Sequence, residues 1–136
     1  MPSTSSPEAR IVEALVYRLT EVTPTVLLGY TALGLDEELP KPAILVQLES
    51  LQEQERQGRR VKMQMNLNVS VVIKTNEEST YALMDLTRSI RALFTTGERW
   101  VPEARSTQLS ETQFDIAPNP GQLSFADIQL IIDVIL

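Results

Sequence analysis

There is no histidine and no cysteine among the 136 residues of this chain. The first absence removes the usual general base near neutral pH and the commonest metal ligand. The second excludes disulfides, thiolate nucleophiles and Cys-ligated zinc. Glycine is scarce at five residues, none placed as G-x-G-x-x-G or G-x-x-x-x-G-K-S/T, so no phosphate-cradling loop is encoded. Long apolar runs are missing too. The longest, 128–136, is interrupted by Gln129 and Asp133 and falls far short of the roughly 20 residues of a spanning helix. The opening MPSTSSPEAR lacks the basic-then-apolar order of a signal peptide, and the expectation is a protein folded in a cytosol. Basic residues are outnumbered, 12 against 18, and the resulting charge of −6 opposes duplex binding and attachment to an anionic membrane.

What is present is pattern. From Val61 to Val71 every odd position is apolar and every even one polar, the alternation of a strand with one dry and one wet face. The wet face carries Lys62, Gln64, Asn66, Asn68 and Ser70, mostly amides rather than charges. Chain length and a 43% hydrophobic content suit one core without metal or disulfide support.

Along the chain, residues 1–6 read as an N-terminal tail and 7–136 as a single α+β domain. Ser6 is placed to cap a helix that has Pro7 at its first position and Glu8 in its first turn. Ile11, Val12, Leu15, Val16, Leu19 and Val22 then recur at helical spacing, which predicts a helix from 7 to about 20. Residues 25–30 suit a minor strand, and 34–42, with its acidic residues and proline pair, a loop. A strand over 43–51 and the alternating strand pair as a long hairpin, with 52–60 as its exposed, charged tip. Thr75 and Glu78 have capping-box spacing before a second helix over 77–95. Trp100 reads as a core anchor beyond that helix. A weak strand over 108–116 slips phase near Glu111, as a bulge causes. After a turn at 118–121, a last strand runs from Gln122 with its even positions on one face. The order α-β-β-α-β-β describes two helices packed on one face of a mainly antiparallel four- to five-stranded sheet. The opposite, amide-rich face is left without cover from the chain.

Carboxylates are the remaining chemistry. Asp127 and Asp133 share a face of the last strand, but six residues of strand separate them by about 20 Å, too far for an acid/base pair. The slipped phase leaves the faces of Glu111 and Asp115 open. Asp36, Glu37 and Glu38 lack the spaced ligands and glycine of a calcium loop. The reading assigns no catalytic, cofactor or metal residue. Arg56, Arg59 and Arg60 form the only basic concentration, at the hairpin tip, either a solvated loop or a docking element for an acidic protein.

The layout resembles tail terminator proteins of tailed bacteriophages, including the Mu-like prophage family of minor tail proteins. Carrying the resemblance are the helix with Ile11-Val12-Glu13-Ala14-Leu15, Leu39-Pro40-Lys41-Pro42-Ala43-Ile44-Leu45-Val46 leading into the first long strand, and the strand ending Val69-Ser70-Val71-Val72-Ile73. The helix with Leu86-Thr87-Arg88-Ser89-Ile90-Arg91-Ala92-Leu93, then Trp100 and the closing apolar strand, complete it. The resemblance implies a structural protein, not an enzyme, that forms a ring, typically of six subunits, on the head-proximal end of the tail tube. Such a ring stops tube polymerisation and offers a joining surface to the head–neck connector. DNA passes through it without being specifically bound, and the protein moves from host cytoplasm to virion tail. On this reading Arg56, Arg59 and Arg60 are candidate contacts to tube or partner, and Lys62, Gln64, Asn66 and Asn68 a candidate subunit interface. Two other classes compete: a dimeric α+β ligand-binding or regulatory domain, and a small hydrolase or isomerase working with carboxylates alone.

Overall fold

The computed structural model describes residues 6–29, 42–94 and 104–135. Helix α1 (Pro7–Leu19) starts where the sequence places it. Ser6 Oγ accepts a hydrogen bond from Ala9 N–H at 3.1 Å, satisfying one of the donors a helix start leaves free. Its stripe Ile11, Leu15 and Leu19 is fully buried. Strand β1 (Val26–Leu28) follows, then the hairpin β2 (Ala43–Gln57) and β3 (Arg60–Lys74), helix α2 (Ser79–Ala92), and the pair β4 (Ala104–Asp115) and β5 (Leu123–Ile135).

The strands form one sheet in the order β1-β2-β3-β5-β4. Every pairing is antiparallel except that of β1 with β2. The short β1 makes the observed order α-β-β-β-α-β-β. β3 is central, paired along nearly its whole length on both sides. Its odd positions Met65, Leu67, Val69 and Val71 are buried with Ala126, Ile128, Leu130 and Ile132 of β5. Both helices contribute to this same core, through Ile11, Leu15 and Leu19 of α1 and Leu83 and Ile90 of α2. Arg18 joins the two helices: its Nε donates to Leu93 O at 2.8 Å and its guanidinium lies 5.9 Å from the Phe94 ring centroid.

Several local expectations are revised. Residues 52–60 are not a loose tip: ladder pairing runs out to Gln57 and Arg60, leaving only Gly58 and Arg59 as the turn. Gly58 has φ 60°, the sign that a type II′ hairpin turn needs at its first central position. The capping box before α2 does not form. Glu78 occupies the cap position with no side-chain hydrogen bond, while Asn76 Oδ1 accepts from Glu78 N–H and Ser79 Oγ from Asn76 N–H, each at 2.7 Å. This local Asx turn competes with the helix for residues 76–78, so α2 starts two residues later than its periodicity suggests. Trp100 and the acidic loop at 36–38 lie outside the described residues. The bulge near Glu111 is present: Leu109 pairs with Leu130 and Thr112 with Ile128, so Ser110 and Glu111 together oppose Gln129.

Met65→Asp or Leu67→Asp places an unpaired charge in a fully buried site and is expected to cost several kcal/mol in urea unfolding. Gln64→Lys, on the other face and opposite Asp133, should stay within about 1 kcal/mol. Gly58→Val should cost roughly 1–2 kcal/mol from backbone conformation alone. A Cβ there meets nothing within 4 Å, so Gly58→Asn should recover most of the loss.

Candidate interaction surface

The register places residues in rows across the sheet. On the helix side, Leu48, Leu67, Leu130 and Leu109 form one such row from β2 to β4. On the other side the rows are polar: Gln47, Asn68 and Gln129; then Ser50, Asn66, Ile131 and Gln108; then Gln52, Gln64, Asp133 and Ser106. The amides foreseen on β3 are therefore one column of a wider field to which every long strand contributes. Sequence reading missed the rest because single amides on β2, β4 and β5 carry no signal until register aligns them.

Inside this field the polar groups bind one another. Asn66 Nδ2 donates to Ser50 Oγ at 2.8 Å, and Asn68 Nδ2 to Ser70 Oγ at 2.9 Å and to Asp127 Oδ1 at 3.5 Å. The Ser70 hydroxyl also donates to Asp127 Oδ1. At the next charged position, Ser106 Oγ donates to Asp133 Oδ2 at 2.6 Å. The face is thus a half-buried amide and hydroxyl network flanked by the carboxylates of Glu49, Glu55, Glu111, Asp127 and Asp133, with Lys62 as a counter-charge. It is not wholly bare, as the sequence implied. At its lower end Leu45 and Val72 are buried and packed with Leu27, Leu123 and Phe125.

Carboxylates do approach one another on this side. Glu49 and Glu111, each at a strand bulge, line a shallow polar depression with Asp127, Asn68, Gln113 and Gln129. Among the described residues, no group of three or more acidic side chains is arranged to hold a metal ion.

The expected basic tip is present but partly committed. Arg56 Nε donates to Glu53 Oε1 at 2.9 Å. That hydrogen bond, with the charge of Glu53, raises the Arg56 pKa above its ordinary value. Residues 53 and 56 would point to opposite faces of a regular strand. A bulge at Gln54 brings both onto the helix side, where Glu53 pairs with Met63 and Arg56 with Val61. Arg59 and Arg60 are exposed at the turn. Lys62 is exposed at the upper end of the amide column, and Gln64, Asn66 and Asn68 are half-buried below it.

A second surface was not anticipated. Beside edge strand β4, residues Thr80, Met84, Thr87, Arg88 and Arg91 of α2 face Thr112, Phe114 and Ile116 across a groove of about 580 Å³. The helical residues follow the i, i+4, i+7, i+8, i+11 spacing of one face. Exposed Met84 on the flank of α2, with Phe114 in a weak strand, was the available signal.

Ser70→Ala removes a hydroxyl shared by Asn68 and Asp127 and should lower stability by about 1 kcal/mol. Arg59→Ala, at the exposed turn, should leave the thermal midpoint unchanged.

No protein-family profile and no curated protein sequence matches this chain. Among solved structures, it is similar to a chain in the virion of a native gene transfer agent particle. The TM-score is 0.59 and the identity 8%, over 91% of this chain and 93% of the other. At that identity the likeness is one of fold.

Proposed function

We propose that this chain is a structural virion protein acting as a tail terminator, a ring that caps the head-proximal end of a tail tube and offers a surface for head joining. The observation that carries the reading is the sharing of one α+β architecture, over nearly the full length of both chains, with a chain from a gene transfer agent virion. The surface chemistry is compatible with it. The amides and hydroxyls of the polar face can pair with another protein, and the carboxylates among them favour a cationic partner surface. A net charge of −6 keeps a conduit for DNA from gripping phosphate. No helix among the described residues is long and apolar enough to cross a membrane.

In this reading the β2–β3 hairpin is the working element. Arg56, Arg59 and Arg60 reach toward tube or connector. Lys62, Gln64, Asn66 and Asn68 lie on the hairpin's polar side as part of the subunit interface. A heterologous ring contact joins two different patches, so these residues supply one side of it.

The test is polymerisation of tail tube subunits with and without the purified protein, with lengths measured by electron microscopy. Uncontrolled length without the protein and arrested growth with it are expected. Charge reversal at Arg56, Arg59 and Arg60 should weaken arrest while leaving the thermal midpoint unchanged, because these side chains lie outside the core. If tube length is indifferent to the protein, the terminator reading fails and a ligand-binding α+β domain takes its place.

A further inference from the structure

Most large apolar side chains that remain exposed among the described residues fall into two patches on the helix side of the sheet. Leu48 (44% exposed) and Leu51 (42%) stand on β2, near one edge. Met84 (53%), Phe114 (46%) and Ile116 (39%) line the groove beside β4, the opposite edge. We infer that the hairpin leucines of one copy seat in the α2–β4 groove of the next, forming the head-to-tail contact of the assembly.

Three observations select a second copy as the occupant. The first is the bulge at Glu49. Residues 48 and 51 would otherwise lie on opposite faces, but Leu48 pairs with Leu67 and Leu51 with Met65, both core-facing positions. The extra residue therefore aims two leucines to the same side, where they remain exposed. Re-aiming side chains is what bulges at sheet edges do.

The second is charge. The groove is lined by Arg88 and Arg91 and by no carboxylate. On the same face as the two leucines β2 carries one acid, Glu53, beside Arg56, whereas Glu49 and Glu55 lie on the polar side. Apolar residues meeting apolar residues, with Glu53 opposite the groove's arginines, make a complementary pair.

The third is topology. The sheet order places β2 and β4 toward opposite edges, and with three antiparallel pairings between them they run in opposite senses. A repeat of the subunit along the sheet direction therefore brings β2 of one copy antiparallel to β4 of the next. Both strands are bulged, which interrupts edge-to-edge ladder pairing and leaves the contact to side chains. Two different patches at opposite edges define a heterologous interface, which closes into a ring when its rotation closes.

The contact deepens the terminator reading, which requires a ring, and it can be tested separately because the chain has no native cysteine. Full-length protein carrying Leu51→Cys together with Met84→Cys is oxidised at high concentration and separated under denaturing, non-reducing conditions. The expected result is a ladder of cross-linked species ending in a closed oligomer. Each single variant alone should remain uncross-linked, and a mixture of the two should give dimers only. Self-cross-linking of a single variant would reveal a two-fold contact and overturn the inference. So would cross-linking of Leu51→Cys to Tyr17→Cys, an exposed position on α1, as efficiently as to Met84→Cys. Arg88→Glu with Arg91→Glu should weaken association about tenfold or more, and Glu53→Arg should restore part of it. Length control retained by protein that fails to cross-link would overturn the contact and spare the terminator reading. Cross-linked rings without length control would do the reverse.

Discussion

The structure depends on the phase of β3. This strand is central and paired on both sides, so its period of two decides which face every neighbouring residue takes. Met65, Leu67, Val69 and Val71 bind the helices to the sheet, and the residues between them are committed to the other side. A slip of one residue would bury Gln64, Asn66 and Asn68 under α1 and α2 and turn the core outward. Burial of four large apolar side chains, each contributing roughly 1.5–3 kcal/mol, holds the register against that slip.

Bulges then modulate what β3 imposes. Those at Glu49 and Gln54 in β2 shift its phase twice against a regular partner. The first places Leu48 and Leu51 on one side, and the second lets Glu53 and Arg56 meet. The bulge at Ser110 and Glu111 in β4 keeps Leu109 in the leucine row while Thr112 and Phe114 remain on the helix side. Each interrupts the ladder, and each falls on a strand outside the central pair. The centre of the sheet is regular and supplies stability, whereas the flanks are irregular and supply surfaces.

Those surfaces have different chemistry. The polar field satisfies much of its own hydrogen bonding through Ser50, Ser70 and Asp127, so a protein covering it needs few new partners for buried groups. The α2–β4 groove is lined by apolar Met84, Phe114 and Ile116 together with Arg88 and Arg91, the latter donating from its guanidinium to Thr112 Oγ1. The fold shared with a gene transfer agent virion chain is a scaffold on which both kinds can be arranged.

The sequence by itself determined the helices, the hairpin, the polar side of β3 and the bulge near Glu111, because each rests on local periodicity or on a local break in it. Ser6, Pro7 and Glu8 mark the start of α1 through interactions spanning one turn. The bulges in β2 were not legible. In a polar run such as Glu49–Arg56, neither face is apolar enough to show a change of phase, and only pairing with β3 reveals it. The true length of the hairpin was hidden for the same reason, since 52–60 reads as loop until Val61 and Met63 supply partners. Gln47 from β2 and Gln129 from β5 flank Asn68 only because register aligns three strands, and Met84 meets Phe114 only because α2 crosses toward β4. Tertiary structure decided these surfaces, because they are made of residues distant in sequence whose meeting no local interaction encodes.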